Sequence, residues 1–187
     1  MKRDAIKYIG LGLIAVVLVF ANTMMVYKTF FAKNRLNPDY KKPVNVTNTE
    51  IRNYADTLFA HKDSLLIIED DIMSNKRIIV ENGDTLGFAF IVYEPIPCPS
   101  CSDVNYVIVT DKKYTIREIR FLKEIVEDYK IVPLYKFKEF SNQLIGKCIL
   151  KDEFLQIKAL EKPKKYSKYF SESINKLQDS IILFYEK

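Results

Sequence analysis

Two cysteines separated by two residues are the sharpest chemical feature of this chain. Cys98 and Cys101 lie in the run Pro97-Cys98-Pro99-Ser100-Cys101. This spacing is used by structural disulfides, by redox-active dithiols and by one half of a zinc site. The spacing alone leaves three alternatives open: a structural disulfide or inert loop thiols, a redox couple, and a metal site.

The surroundings of the pair bear on these alternatives. A reactive dithiol opens a helix whose N-terminus stabilises the thiolate, whereas this pair is predicted to lie in a loop that leads into a strand. A zinc site would need all of the remaining cysteine and histidine, Cys148 and His61, as well. We predict no metal, with Cys148 as a buried small hydrophobic residue and His61 as a surface cap after the first helix.

Other familiar reactive groups are scarce. The acidic run Glu69-Asp70-Asp71 is predicted to be a solvated loop, with cation binding as the weaker alternative. The chain has no Gly-rich phosphate loop, no paired histidines and no Ser-His-Asp order, so a hydrolase or nucleotide-dependent enzyme has no support. A non-catalytic or electron-transfer protein is favoured.

The spacing of apolar residues and turn signals along the chain predicts an α+β domain that positions these residues. Thr49 is a candidate N-cap for a first amphipathic helix with one apolar face, formed by Ile51, Tyr54, Ala55, Leu58 and Phe59. Asn82-Gly83 favours a two-residue turn that pairs residues 77–81 with 85–93. Residues 105–121 predict a second hairpin with its turn at 111–113. The resulting antiparallel sheet has at least four strands with helices at both ends.

Two more helices follow this sheet. A short one is predicted from Leu134, Phe137, Phe140 and Leu144, with Gly146 in the C-cap role and a further short strand at 148–150. The last helix carries one apolar stripe with Ser167 as its candidate cap, and the stripe consists of Tyr166, Phe170, Ile174, Leu177 and Ile181.

An uncharged run near the N-terminus predicts a membrane anchor. Residues 8–27 lie between Lys7 and Lys28 and are long enough, at about 1.5 Å per residue, to span roughly 30 Å of hydrocarbon. No small-residue cleavage site follows, so an uncleaved transmembrane helix is favoured over a signal peptide. The predicted organisation is an anchor at 1–32, a linker at 33–48 and a soluble domain at 49–187.

The charge distribution argues against nucleic-acid binding. The net charge is +5, and residues 1–42 alone carry +6, which leaves −1 for the remainder. Basic residues that flank a membrane helix meet anionic head groups. Three of them precede the helix and five follow it, which taken literally favours a cytoplasmic domain, although the rule weakens when a long domain follows. The expected partners are the membrane and other membrane-protein subunits.

Four segments within residues 77–147 resemble the FMN-binding domain found in membrane-anchored subunits of the sodium-pumping NADH:quinone oxidoreductase and of Rnf-type complexes. They are residues 86–90 (LGFAF), 104–111 (VNYVIVTD), 116–122 (IREIRFL) and 140–147 (FSNQLIGK). The resemblance covers about half of the chain and includes the N-terminal membrane helix. It implies an extracytoplasmic domain, periplasmic or extracellular, where a Cys98–Cys101 disulfide would persist.

The family's flavin-attachment motif is missing. At its position the chain reads Glu161-Lys162-Pro163-Lys164-Lys165. It lacks the glycine that lets the backbone approach the phosphate and the hydroxyl that carries FMN. No covalent cofactor is therefore expected; non-covalent FMN remains an alternative, with Lys162, Lys164 and Lys165 as candidate phosphate contacts. The resulting hypothesis is an accessory subunit of a membrane redox or other multisubunit complex. The alternatives are an electron carrier that uses FMN or a Cys98–Cys101 couple, and a membrane-tethered thiol oxidoreductase.

Overall fold

A computed structural model describes residues 17–27, 38–151 and 164–185. The chain divides into two units, Met1–Pro38 and Asp39–Lys187. In the first unit residues 17–27 are helical, and residues 8–16 of the predicted membrane helix lie outside the described residues. Within the described ranges no helix combines the length and apolar character that crossing a bilayer requires. The transmembrane helix therefore stays a prediction.

The second unit is an α+β domain built on a five-stranded antiparallel sheet in the order β1-β2-β3-β4-β5. After a 3-10 turn at Pro38–Lys41, the helices are α1 (Asn48–Leu58), α2 (Leu134–Asn142) and α3 (Lys164–Tyr185). The strands are β1 (Leu66–Glu69), β2 (Lys76–Glu81), β3 (Asp84–Glu94), β4 (Val104–Asp111), β5 (Ile116–Phe121), β6 (Ile125–Glu127) and β7 (Lys130–Val132). Strands β6 and β7 form a separate two-stranded hairpin.

The two predicted hairpins are confirmed. Asn82 and Gly83 join β2 to β3 with φ values of 51° and 89°, as a two-residue turn of this type requires. The predicted turn at 111–113 joins β4 to β5. Strand β1, which pairs with β2, extends the predicted minimum of four strands to five. The sequence does not reveal β1 because its four residues show no run of alternating polarity.

Alternation along the interior strand β4 sends its side chains to two different cores. Val107 and Val109 face an aliphatic cluster that includes Ile51 and Ala55 of α1. The alternate residues face an aromatic cluster that α2 and α3 cover. In it, the rings of Tyr106 and Phe170 lie 4.9 Å apart in an edge-to-face arrangement. The predicted apolar stripe of the last helix is buried in this cluster.

Several predicted helix ends are wrong. The cap of α1 is Thr47 rather than Thr49, because Thr47 and Glu50 form a reciprocal capping box, a signature that the sequence contains. Helix α2 ends at Asn142 with Gln143 as its C-cap, whereas Gly146, the predicted cap, closes the following turn with φ 82°. Ser167 lies inside α3, where its hydroxyl donates to Lys164 O.

The predicted short strand at 148–150 is reduced to a single bridge between Cys148 and Thr115. The N-terminal arm, residues 40–46, also differs from the linker predicted at 33–48. Residues 33–37 lie outside the described residues, whereas the arm contacts the domain: Val46 is buried, and Val44 N donates to Asn105 Oδ1 at 3.2 Å. The packed domain therefore includes residues assigned to the linker.

Candidate functional site

A disulfide closes the loop between β3 and β4. The sulfur atoms of Cys98 and Cys101 are 2.11 Å apart, and Cys101 N donates to Cys98 O at 3.1 Å across the turn. Cys101 is fully buried, whereas Cys98 is partly exposed. The loop leads directly into β4 at Val104 and carries no helix after Cys101. The structure thus contains the disulfide, and redox activity of the pair stays a hypothesis.

The disulfide loop is held by two other parts of the chain. Tyr40 of the N-terminal arm donates its hydroxyl to Pro99 O at 2.9 Å. From the β6–β7 turn, Tyr129 N donates to Ser100 O at 2.9 Å, and Ser100 Oγ donates to Asp128 Oδ1 at 3.2 Å. These bonds fix the two residues that the sulfur bridge encloses, Pro99 and Ser100, from two directions.

A second pair of bonds joins the end of the loop to β6. Ser102 N donates to Val126 O, and Val126 N donates to Ser102 Oγ, both at 2.9 Å. Ser102 is buried, so its hydroxyl satisfies a backbone donor that would otherwise be costly to bury. The small hairpin is thereby attached to the loop rather than to the main sheet.

Asp103 joins several parts of this region through its carboxylate. Its buried carboxylate accepts from Ile96 N at 2.9 Å and from the Tyr93 hydroxyl at 3.1 Å. It also pairs with Lys41 of the N-terminal arm at 2.8 Å, and Lys41 Nζ donates to Ile96 O as well. Burial, followed by the hydrogen bond to Asp103 and the charge of that carboxylate, raises the pKa of Tyr93. One carboxylate therefore ties the arm to the disulfide loop.

The turn of the β6–β7 hairpin also caps α3. Glu127 Oε2 accepts from Tyr166 N at 2.8 Å, a favourable place for a negative charge at a helix N-terminus. Asp128 pairs with Lys165 at 2.7 Å. The hydrogen bond from Lys165 is the main cause that lowers the pKa of Asp128, and the same bond raises the pKa of Lys165. Disulfide loop, hairpin and helix end form one hydrogen-bonded cluster.

This cluster determines the setting of the predicted phosphate contacts. Lys165 is paired with Asp128, Lys164 is exposed, and Lys162 lies outside the described residues. The carboxylates of Glu127 and Asp128 stand at the same helix end and would repel a phosphate. A phosphate role for the three lysines stays a prediction.

The four potential zinc ligands do not meet. Cys148 is half-buried and lies beside Lys113, whose carbonyl oxygen is 3.4 Å from its sulfur, whereas Cys101 precedes the opposite end of β4. An eight-residue strand separates these two ends by roughly 25 Å. His61 contacts Asp56 at 3.3 Å and Asp63 O at 2.8 Å. Within the described ranges no group of three His, Cys, Asp or Glu residues is arranged for a metal ion.

His61 is also not the predicted helix cap, because Phe59 occupies the C-cap position of α1. The half-burial of Cys148 contrasts with the predicted fully buried thiol, since its bridge to Thr115 lies at the edge of the domain.

Within the acidic run Glu69 and Asp71 are exposed, as predicted, whereas the side chain of Asp70 is turned into the protein. Asp70 pairs with the buried Lys76 at 3.0 Å and accepts from Ile72 N and Met73 N at 2.8 and 2.9 Å. The ammonium of Lys76 also lies 4.3 Å from the ring centre of Phe88. Burial lowers the pKa of Lys76, and Asp70 opposes that shift. Lys76 stands between Asn75 and Arg77 in the sequence, so no local pattern indicates its burial or its pairing with Asp70.

The hairpin contacts and the Lys41–Asp103 pair were also missed. Asp128 and Tyr129 adopt φ values of 51° and 59° without glycine, so the turn lacks its usual signature. Lys41 and Asp103 are 62 residues apart, and no local pattern connects them.

Comparison with known proteins adds no relative: no family model, no curated protein and no solved structure matches the chain.

Proposed function

We propose that this chain is a single-pass, membrane-anchored accessory subunit of a membrane redox or other multisubunit complex. Its extracytoplasmic domain, which resembles a degenerate FMN-binding domain, serves docking rather than catalysis. The observation that carries the proposal is the disulfide loop. The polar groups of the loop bond to the N-terminal arm and to the small hairpin, and the hairpin in turn bonds to α3. Such a loop is a rigid scaffold.

The environment of the cysteines supports a structural role. Ser100 Oγ lies 3.4 Å from Cys98 Sγ and donates to Asp128, so a carboxylate stands close to the sulfurs. Because this carboxylate is paired with Lys165, the acid–lysine pair offers no net positive charge to stabilise a thiolate, and no helix N-terminus follows Cys101. Disulfides of this kind persist in oxidising compartments, in agreement with an extracytoplasmic domain.

The full-length chain, purified in mild detergent from the membranes in which it is made, tests this proposal. We expect a complex that contains at least one further membrane protein, seen by mass photometry and identified by mass spectrometry. A monomeric chain without a co-purifying membrane partner would refute the proposal. Labelling of intact cells with an impermeant thiol reagent, before and after reduction, tests topology: thiols that react only after lysis indicate a cytoplasmic domain.

One observation favours a second candidate, an electron carrier or membrane-tethered thiol oxidoreductase. Cys98 is partly exposed while Cys101 is buried, as in pairs in which one sulfur is attacked and the other resolves. A visible spectrum of the purified protein and a redox titration of the dithiol separate the candidates. Flavin absorbance, or a disulfide in equilibrium with physiological thiol pools, would favour electron transfer. A colourless protein with a disulfide that resists reduction would exclude it.

A further inference from the structure

A strip of exposed apolar residues runs from β7 into the first turn of α2. Ile131, Leu134 and Tyr135 are 52%, 51% and 63% exposed, and Pro133 between them is exposed too. Apolar side chains grouped in this way on a surface mark an interaction site. We call these residues, together with Lys130 and Lys136, the β7–α2 patch.

The patch stands on a fixed base. Phe137 of the same helix is fully buried, and its ring lies 5.0 Å from that of Tyr166 and 5.4 Å from that of Phe170. Glu127 and Asp128, at the turn before β7, bind α3 and the disulfide loop. The exposed side chains are therefore presented by a backbone that is held from behind.

The charge beside the apolar strip is positive. Residues 130–139 contain Lys130, Lys136 and Lys138 against the single acid Glu139, a balance of +2, and all four are exposed. The two acids of the preceding turn are each bonded to α3: Glu127 accepts from Tyr166 N, and the exposed Asp128 is paired with Lys165. A hollow of about 360 Å³ lies beside the apolar strip, and Lys130 and Lys136 line it together with these two acids.

We propose that the β7–α2 patch docks onto the head-group region of an anionic lipid bilayer, the one that holds the proposed N-terminal anchor. Tyrosine and aliphatic side chains partition into the interface, while lysines meet anionic lipids with their ammonium groups. Because the anchor would keep the domain near the membrane, a weak contact is enough to populate the docked state. This inference relies on the membrane anchor of the proposed function.

The size of the patch favours lipid over protein. Three exposed apolar side chains cover much less than the roughly 800 Å² per partner that a stable protein interface buries. A tethered domain does not need that area. Lysines next to a shallow apolar strip are the arrangement of proteins that lie on membranes.

The chain contains no tryptophan, so a single Tyr135→Trp substitution introduces a unique fluorophore at the centre of the patch. The full-length variant is reconstituted into vesicles of phosphatidylcholine and phosphatidylglycerol, with or without bromine on the acyl chains. We expect blue-shifted emission that the brominated lipids quench. Ile72→Trp is the matched control, because Ile72 is 60% exposed on the loop between β1 and β2, and its emission should be unaffected.

A charge-reversed variant, Lys130→Glu with Lys136→Glu in the Tyr135→Trp background, tests the electrostatic part. Each lysine near an anionic surface contributes a several-fold factor, so the ratio of docked to undocked protein should fall roughly tenfold or more. Raising the phosphatidylglycerol fraction should increase quenching in the parent variant only.

Flotation of the vesicles separates the two proposals. If the protein floats but the Tyr135→Trp variant is not quenched, or is quenched no more than the Ile72→Trp variant, the patch proposal is wrong while the anchor stands. Emission that is blue-shifted in native membranes but insensitive to brominated lipid also overturns it, in favour of a protein partner. If the chain does not float, the membrane anchor is wrong. Quenching of the Tyr135→Trp variant by added vesicles would then still support the patch proposal. Without that quenching the patch proposal is refuted as well.

Discussion

Two loops of the domain are each closed around a buried aspartate, and they differ in what the aspartate holds. Asp70 accepts two backbone N–H groups and pairs with Lys76, six residues further along the chain. Asp103 accepts one backbone N–H and the Tyr93 hydroxyl and pairs with Lys41, which belongs to the N-terminal arm. The side chain of Lys76 is 3% exposed, whereas that of Lys41 is 30% exposed.

The comparison separates a local structural pair from a long-range connection. The Asp70–Lys76 pair closes its own loop deep in the protein, where removing one partner leaves an uncompensated charge. The Asp103–Lys41 pair is weaker because solvent screens it, yet it joins the arm to the disulfide loop. Stability is therefore expected to depend most on the first loop, and the arrangement of the proposed docking scaffold on the second.

The largest effect is expected for Lys76→Ala. The substitution leaves the Asp70 carboxylate buried without its counter-charge, and breaking such a pair costs about 3–5 kcal/mol of unfolding free energy. Urea denaturation measures the loss. In the control, Lys76→Met with Asp70→Asn, most of the stability should return, because neither residue is then charged and an amide oxygen can still accept from Ile72 N. A loss below about 1 kcal/mol for Lys76→Ala would show that the pair is not buried.

Removal of the disulfide should have an intermediate effect. Cys98→Ser with Cys101→Ala opens a ring of only two intervening residues, for which chain entropy predicts about 2 kcal/mol. The local effect should be larger. Hydrogen exchange should accelerate at Tyr129 N, which donates to the loop. At Val109 N, on an interior strand of the sheet, the exchange rate should rise only as far as the loss of global stability requires. Equal acceleration at both amides would show that the loop does not hold the hairpin.

Lys41→Met should cost about 1 kcal/mol or less, because the ion pair is nearly a third exposed on the lysine side. The expected change is again local. Asp103 N, which donates to Tyr40 O, should exchange faster as the arm loosens. Lys42→Met, at the neighbouring position, is the comparison variant. Faster exchange in both variants to the same degree would contradict a specific role for Lys41.

The smallest effect is expected at the exposed Asp128 and has a defined pH dependence. Lys165 is the main cause that holds the folded-state pKa of Asp128 below its ordinary 3.8, so this carboxylate stabilises the fold when ionised. That contribution is complete above the ordinary pKa and is lost as the pH falls through the lower folded value. The stability difference between wild type and Asp128→Asn should therefore be constant near neutrality and vanish in acid. A difference that grows in acid would reverse the assigned sign.

What the sequence predicts depends on whether an interaction is local. The Asn82-Gly83 hairpin was predicted, because both residues tolerate positive φ, whereas the Asp128-Tyr129 turn has the same backbone form without glycine. Tyr129 is held there by its bond to Ser100, a contact between distant segments that no local pattern contains. The apolar stripe of α3 was predicted from its helical period, and its buried residues confirm it.

The candidate site divides in the same way. The short spacing of Cys98 and Cys101 permits a disulfide, so the pair was identified from the sequence. Lys76 was missed because a lysine is usually exposed, and its burial depends on Asp70 and the Phe88 ring. The sequence does contain the capping box of Thr47 and Glu50, although the predicted cap was Thr49.

The N-terminal arm has a mechanical consequence. A pulling force that enters the domain through residue 40 first loads the bonds from Tyr40 to Pro99 O and from Lys41 to Asp103. Both acceptors belong to the loop between β3 and β4, and Pro99 lies within the ring that the sulfur bridge closes. The load on Pro99 therefore meets a segment that cannot lengthen between Cys98 and Cys101. In single-molecule pulling from the N-terminus we expect the arm to detach before the sheet yields. After reduction the same tension should also stretch the loop. The intact bridge would then limit how far a force on the N-terminal arm deforms the domain.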